Sequence, residues 1–105
     1  MDKPLPNDIS SSELKGKLLN NSSVTLLDVR EELEYHTFNI GGDNIPLSNL
    51  MNNIENLKYN KDAEIVVICQ RGIRSETARK LMADAGFTNV KNLTGGLIEY
   101  RKNSI

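Results

Sequence analysis

Apolar and polar positions along this chain follow two different periods, and the period switches from segment to segment. Residues 24–29 read Val-Thr-Leu-Leu-Asp-Val and residues 65–69 read Ile-Val-Val-Ile-Cys. Short β-branched runs without a polar face are the pattern of strands covered on both sides. A weaker strand is predicted over 89–93 (Asn-Val-Lys-Asn-Leu), and a brief one over 44–47, stopped by Pro46.

The stretches between them carry a helical period. Leu14 and Leu18 stand one turn apart in a predicted helix over 11–19, and Ser10 with Glu13 has the spacing of a capping box. Asn20, Asn21, Ser22 and Ser23 end that helix, and the charged residues 30–36 allow one or two further turns. Leu47, Leu50, Met51, Ile54 and Leu57 recur at offsets 0, +3, +4, +7 and +10, which predicts a one-faced helix. Ala78, Leu81, Met82 and Ala85 do the same for a helix starting near Ser75, with Gly86 placed as its left-handed C-terminal cap. Gly95 and Gly96 read as a turn into a terminal helix. Strands separated by helices predict an α/β domain with a parallel sheet covered on both faces.

Composition narrows this picture. A chain of 105 residues is expected to form one domain, here 9–105, preceded by a flexible arm over 1–8 that contains Pro4 and Pro6. With 38% hydrophobic and 26% charged residues it is not a disordered chain. A net charge of -1 supplies no basic field, so nucleic acid is not an expected partner. The longest apolar run, 65–69, is far short of the ~20 residues needed to span a bilayer. The first eight residues lack the apolar core of a secretory signal, so no membrane and a cytoplasmic setting are expected. There is one cysteine, which excludes an internal disulfide and a thiolate metal cage. His36 is the only histidine and has no ligand-like neighbours, so no metal is expected.

That one cysteine is the candidate reactive group. Cys69 ends the strongest predicted strand, a helix follows within a few residues, and Gln70-Arg71-Gly72-Ile73-Arg74-Ser75 lies between. Sites of parallel sheets form beyond the carboxyl ends of the strands. A sharp turn at Gly72 can point successive N–H groups inward, the helix N-terminus adds partial positive charge, and Arg71 and Arg74 add full charges. All of these favour a thiolate. An isolated strand-end cysteine is more often a small core hydrophobe. Two arginines and a glycine between strand and helix weigh against that here. Four residues separate Cys69 from Arg74. That ring is one residue shorter than the phosphate-binding loop of cysteine phosphatases, too tight for a tetrahedral dianion but wide enough for one extra sulfur on Cys69.

Taken in order, the motifs resemble the rhodanese family, and in particular its small single-domain sulfurtransferases. Leu26-Leu27-Asp28-Val29-Arg30, Glu34-Tyr35, Asn44-Ile45-Pro46-Leu47, the Cys69 loop, Ala85-Gly86-Phe87 and Leu93-Thr94-Gly95-Gly96 match the family's segments from Ile9 to about Tyr100. The resemblance implies a rhodanese-like fold, a mainly parallel sheet of about five short strands with helices on both faces. It also implies a sulfurtransferase that carries sulfane sulfur as a Cys69 persulfide. The donor would be thiosulfate or a persulfide; the acceptor would be cyanide, a small thiol or a protein thiol. The alternative is a sulfur carrier or interaction module loaded by a partner protein. The Cys-Gln-Arg-Gly-Ile-Arg-Ser loop is also similar to rhodanese domains fused to activating enzymes of cofactor biosynthesis, a possible partner class. The chemistry so implied needs no cofactor, and a monomer suffices for it.

Roles are expected as follows. The loop N–H groups hold the terminal sulfur, and Arg74 closes the loop and attracts the sulfonate of a donor, against a purely structural ion pair. Arg71 projects from the crown toward substrate or solvent. Asp28 accepts from the loop or from Arg74, or serves its own turn, while Arg30 is expected to pair with Glu34 four residues on rather than touch substrate. Ser75 is expected to cap the following helix rather than donate to sulfur. Asn39 stands where the family usually has His, and Tyr100 where it usually has Trp.

Overall fold

The computed structural model describes residues 7–20 and 22–102; residues 1–6 of the predicted arm over 1–8, Asn21 and residues 103–105 lie outside them. Ten elements follow one another: β1 (Asp8–Ile9), α1 (Ser11–Leu19), β2 (Thr25–Asp28), α2 (Glu32–Thr37), β3 (Asp43–Asn44), α3 (Leu47–Asn52), β4 (Ile65–Ile68), α4 (Arg74–Asp84), β5 (Val90–Leu93) and α5 (Gly96–Lys102). A 3-10 turn, Ile54–Asn56, follows α3. The strands form one five-stranded sheet in the order β1-β5-β4-β2-β3, every pair parallel.

The alternation along β4 builds two cores. Ile65, Val67 and Cys69 face one side, with Leu27, Val29, Leu50, Ala78 and Met82 from β2, α3 and α4. Val66 and Ile68 face the other, with Leu14 of α1 and Leu97 of α5. A strand at the sheet centre thus has no polar face to show, which is why its run is unbroken. At α1 both halves of the predicted capping box form: Glu13 N–H donates to Ser10 Oγ at 3.1 Å, and Ser10 N–H to Glu13 Oε1 at 2.9 Å.

Two expectations need correction. The helix predicted through Leu57 stops at Asn52, and Met51 is 52% exposed while Leu50 is fully buried. Asn side chains offer the backbone alternative partners, as when Asn53 Nδ2 donates to Asn49 O at 2.9 Å, and the asparagine-rich stretch 52–56 breaks into a tighter turn. The sheet also gains β1 at its edge. Asp8 belongs to this strand, where Asn92 N–H donates to Asn7 O and Thr94 N–H to Ile9 O. Two residues carry no periodicity, so nothing in the hydrophobic pattern marks them. Among the described residues no helix is long and apolar enough to cross a membrane.

Candidate active site

All five strands run the same way, so their carboxyl ends share one edge. There Cys69 follows the last residue of β4, whose register sets Ile68 beside Asp28 of β2 and Val67 beside Asn92 of β5. Cys69 is 1% exposed and packs in the core shared by β2, β4 and α4. By burial alone it would pass for a small hydrophobe. Its hydrogen bonds say otherwise. Gly72 N–H donates to Sγ at 3.1 Å, and Ser75 N–H donates to it at 3.3 Å. The chain turns back on itself at Gly72, where φ is +89°, a conformation glycine adopts at little cost. Cys69 forms the floor of a cleft of about 420 Å³ lined also by Glu34, Gln70, Arg71, Ile73 and Arg74.

The base of the loop is tied to α5. Leu97 N–H donates to Cys69 O at 3.0 Å and Ile98 N–H to Gln70 O at 3.1 Å. The turn that starts α5 lies directly against the Gln70–Arg71 peptide. A Cβ on Gly96 would stand 2.4 Å from Gln70 O. The closing glycine pair, read from the sequence only as a turn into the terminal helix, thus packs against the base of the loop by backbone contact.

Charge is distributed differently from expectation. Arg74 donates to both carboxylate oxygens of Glu34, at 2.8 and 3.0 Å. That contact brings Glu34 of α2 to the cleft mouth. The Arg74 guanidinium holds the Glu34 carboxyl down at about 2, and Glu34 in turn makes Arg74 harder to deprotonate. Arg74 is thus engaged in the ion pair, and Arg79, farther along α4, pairs with Glu76 at 2.8 Å. Arg71, exposed on the crown, is the arginine left facing the cleft.

Arg30 does not pair with the Glu34 carboxylate. Its guanidinium takes both oxygens of Asp28, at 2.9 and 2.8 Å, and donates to the carbonyls of Glu34 and Phe38. Both residues are buried, and a bidentate pair two residues apart outcompetes a longer reach to a carboxylate already held by Arg74. Asp28 accordingly serves Arg30 and neither the loop nor Arg74. Through Arg30 it braces α2, the element that presents Glu34.

Ser75 is not the cap. Helix α4 starts at Arg74 with Ile73 in the cap position, so Ser75 sits inside the first turn and turns inward. Its hydroxyl lies 3.2 Å from Cys69 Sγ and donates to Asn92 Oδ1. Glu34 and Asn92 are the two site residues that sequence reasoning missed. Asn92 left a signal: it is the polar residue at an inward position of a short strand. The two substituted positions lie elsewhere. Asn39 closes α2 by donating to Tyr35 O, and Tyr100 packs on the α1 side. A larger cleft of about 590 Å³, lined by Asp43, Asn53 and Tyr59 among others, contains no nucleophilic thiol, and the Tyr59 hydroxyl in it is pushed up by burial and by Asp43.

Sheet order and strand-end loop together define a parallel α/β domain that presents one buried cysteine sulfur in a backbone N–H cradle. The chain belongs to the rhodanese-like domain family, whose model matches residues 10–103. It is 36% identical over 94 residues to the putative sulfur carrier protein YrkF of Bacillus subtilis, covering 89% of this chain and 50% of that one. It is 32% identical over 95 residues to the probable adenylyltransferase/sulfurtransferase MoeZ of Mycobacterium tuberculosis, covering 90% of this chain and 24% of that protein. The chain therefore spans about a quarter to a half of these two relatives. Among solved structures, the human single-domain sulfurtransferase TSTD1 superposes with a TM-score of 0.84 at 27% identity, over 97% of this chain and all of that one.

Proposed function

We propose that this domain is a sulfurtransferase that moves sulfane sulfur from thiosulfate or a persulfide donor to a thiophilic acceptor through a Cys69 persulfide. The observation that carries this reading is the pair of loop N–H groups, from Gly72 and Ser75, aimed at the Cys69 sulfur at the floor of a cleft. Thiosulfate, as donor, loses its outer sulfur to the Cys69 thiolate; the sulfur–sulfur bond breaks and sulfite leaves with the bonding pair. An acceptor such as cyanide, a small thiol or a protein thiol then attacks the terminal sulfur. The electrons of the persulfide bond return to Cys69 as thiolate. Backbone donors of the 70–75 loop stabilise the charged terminal sulfur as an oxyanion hole stabilises oxygen. Neither step calls for a metal or an organic cofactor.

In this reading Arg71 attracts the donor's sulfonate, while Arg74 with Glu34 fixes the loop and forms the cleft mouth. Asp28 and Arg30 act at one remove, by holding α2. A second reading, a carrier loaded by a partner protein, draws support from the similarity to YrkF and from the neutralisation of Arg74 by Glu34, which weakens attraction for a free dianion. A partner of the activating-enzyme class accords with the similarity to MoeZ.

Mass spectrometry of the protein after thiosulfate treatment tests both. Gain of one sulfur atom on Cys69, with thiocyanate released on adding cyanide, is the expected result, and Cys69→Ser abolishes both. Loading only in the presence of a persulfidated donor protein selects the carrier. Turnover that survives in Cys69→Ser overturns both readings.

A further inference from the structure

The polar network behind Cys69 contains one residue that no motif singled out. Asn92 of β5 is 7% exposed and reaches both ends of the cysteine loop. Its Nδ2 donates to Gly72 O at 3.1 Å, and its Oδ1 accepts from the Ser75 hydroxyl. The amide orientation is dictated by these partners, because a flipped Asn92 would set its own oxygen against the Gly72 carbonyl. A serine hydroxyl has a single hydrogen, and here it is spent on Asn92. The Ser75 oxygen, 3.2 Å from Cys69 Sγ, therefore offers the sulfur a lone pair.

We propose that Asn92 is a positioning residue of the Cys69 site, which sets the direction of the Ser75 hydroxyl and thereby the protonation balance of the sulfur. With Asn92 in place, a Cys69 thiol donates its hydrogen to Ser75 Oγ. When the sulfur ionises, the Ser75 hydroxyl turns to donate to it and leaves Asn92 Oδ1 without a donor inside the protein. That opposes ionisation, because a buried acceptor stripped of its partner is costly. The same turn delivers a third donor to the sulfur beside Gly72 N–H and Ser75 N–H. Asn92 thus makes the third donor available only once the sulfur is charged. The proposal rests on Cys69 being the reactive group, but not on what it transfers.

The charged groups around the sulfur come from every neighbouring element. Glu34 of α2 and Arg74 of α4 pair with each other, as do Asp28 at the end of β2 and Arg30 just beyond it. Arg71 stands on the crown, and Glu99 of α5 lies behind Gly95. A change at Asn92 leaves these charges in place but also removes the bond to Gly72 O, so only a shift that vanishes without the Ser75 hydroxyl reports the hydroxyl.

The test is the rate of Cys69 alkylation by iodoacetamide as a function of pH, which needs no sulfur donor and so stands apart from the transfer chemistry. In Asn92→Leu the Ser75 hydroxyl is free to face the sulfur at all times. The half-maximal rate is expected to move about one pH unit lower. In a Ser75→Ala background the same leucine substitution is expected to leave the midpoint where Ser75→Ala alone puts it. Asn92→Asp keeps an acceptor toward Ser75 and adds charge, and moves the midpoint upward; it gives a reading even if the leucine variant fails to fold. An unmoved midpoint in Asn92→Leu, a shift that persists without the Ser75 hydroxyl, or an unmoved midpoint in Asn92→Asp overturns the proposal.

Discussion

Replacing Gly96 by alanine inserts a methyl group into the backbone that holds Cys69. Gly96 starts α5 with φ at +65°, and a Cβ there would lie 2.4 Å from Gln70 O, 2.5 Å from Gln70 C and 2.6 Å from Arg71 N. Two costs follow. Holding alanine in the left-handed region costs about 1–2 kcal/mol. Overpacking against backbone that must move adds about 1–3 kcal/mol. The loop has little freedom to yield, because the next two residues of α5 hydrogen-bond to Cys69 O and Gln70 O. The expected loss is about 2–5 kcal/mol, within the ~5–15 kcal/mol of a domain this size, so the variant folds but with a displaced loop. Gly16→Ala supplies the opposite case. Gly16 lies inside α1 with nothing within 4 Å of an added Cβ, and alanine there gains roughly 0.5–1 kcal/mol. Urea unfolding followed by circular dichroism measures both, and iodoacetamide alkylation of the native proteins reports the loop, which reacts faster in Gly96→Ala. A Gly96→Ala protein within about 0.5 kcal/mol of the parent would refute the reasoning, since neither cost would then be real.

The remaining predictions concern the two ion pairs. Asp28→Asn leaves the Arg30 guanidinium buried without its counter-charge and lowers stability by about 3–5 kcal/mol in urea unfolding. Glu34→Gln frees Arg74 to face the cleft and raises the second-order rate of Cys69 loading by thiosulfate, read by mass spectrometry; an unchanged rate shows that the pair does not gate the donor. The same pair has a pH signature. The folded-state value of Glu34 is about 2, below its ordinary 4.5, so its contribution is fully present above 4.5 and is lost as pH falls through about 2. Because both partners are about one-third exposed, that contribution is under about 1 kcal/mol. The stability difference between parent and Glu34→Gln therefore closes between pH 4.5 and 2, where a difference that stayed constant would exclude the pair as its source.

Much of the domain was legible because burial leaves period in a sequence. The central strand Ile65–Ile68 lies in an unbroken apolar run, its neighbour Thr25–Asp28 in a largely apolar one, and Ser10 with Glu13 marks the start of α1 to the residue. The placement of Cys69, the candidate reactive group, was legible from its position between strand and arginine-rich loop. What was not legible was partner choice. Arg30 has a carboxylate two residues before it and another four after it, and chain distance cannot say which is held elsewhere in space. Arg74, forty positions from Glu34, decides that contest. The position of Ser75 in the helix likewise depends on where the backbone begins to coil, and residue type alone favours the cap. The strand Asp8–Ile9 exists only because β5 offers it an edge.

The way the loop spends its donors bears on which anion it can serve. A phosphate-binding loop must aim its N–H groups at a point in front of the nucleophile and bring a free guanidinium to the same point. Here Gly72 N–H and Ser75 N–H both end on the sulfur itself. The loop-closing guanidinium is taken by a carboxylate that stays ionised down to about 2, so it adds no net charge for a dianion. A persulfide makes smaller demands. The terminal sulfur of the proposed persulfide would be covalently attached to Cys69 and carry one charge, beside donors already turned inward. The arrangement is thus built to hold charge on the cysteine and one atom beyond it. That supports sulfur over phosphate as the cargo, and it is why the residues behind the sulfur, Ser75 and Asn92, matter as much to the chemistry as those at the mouth.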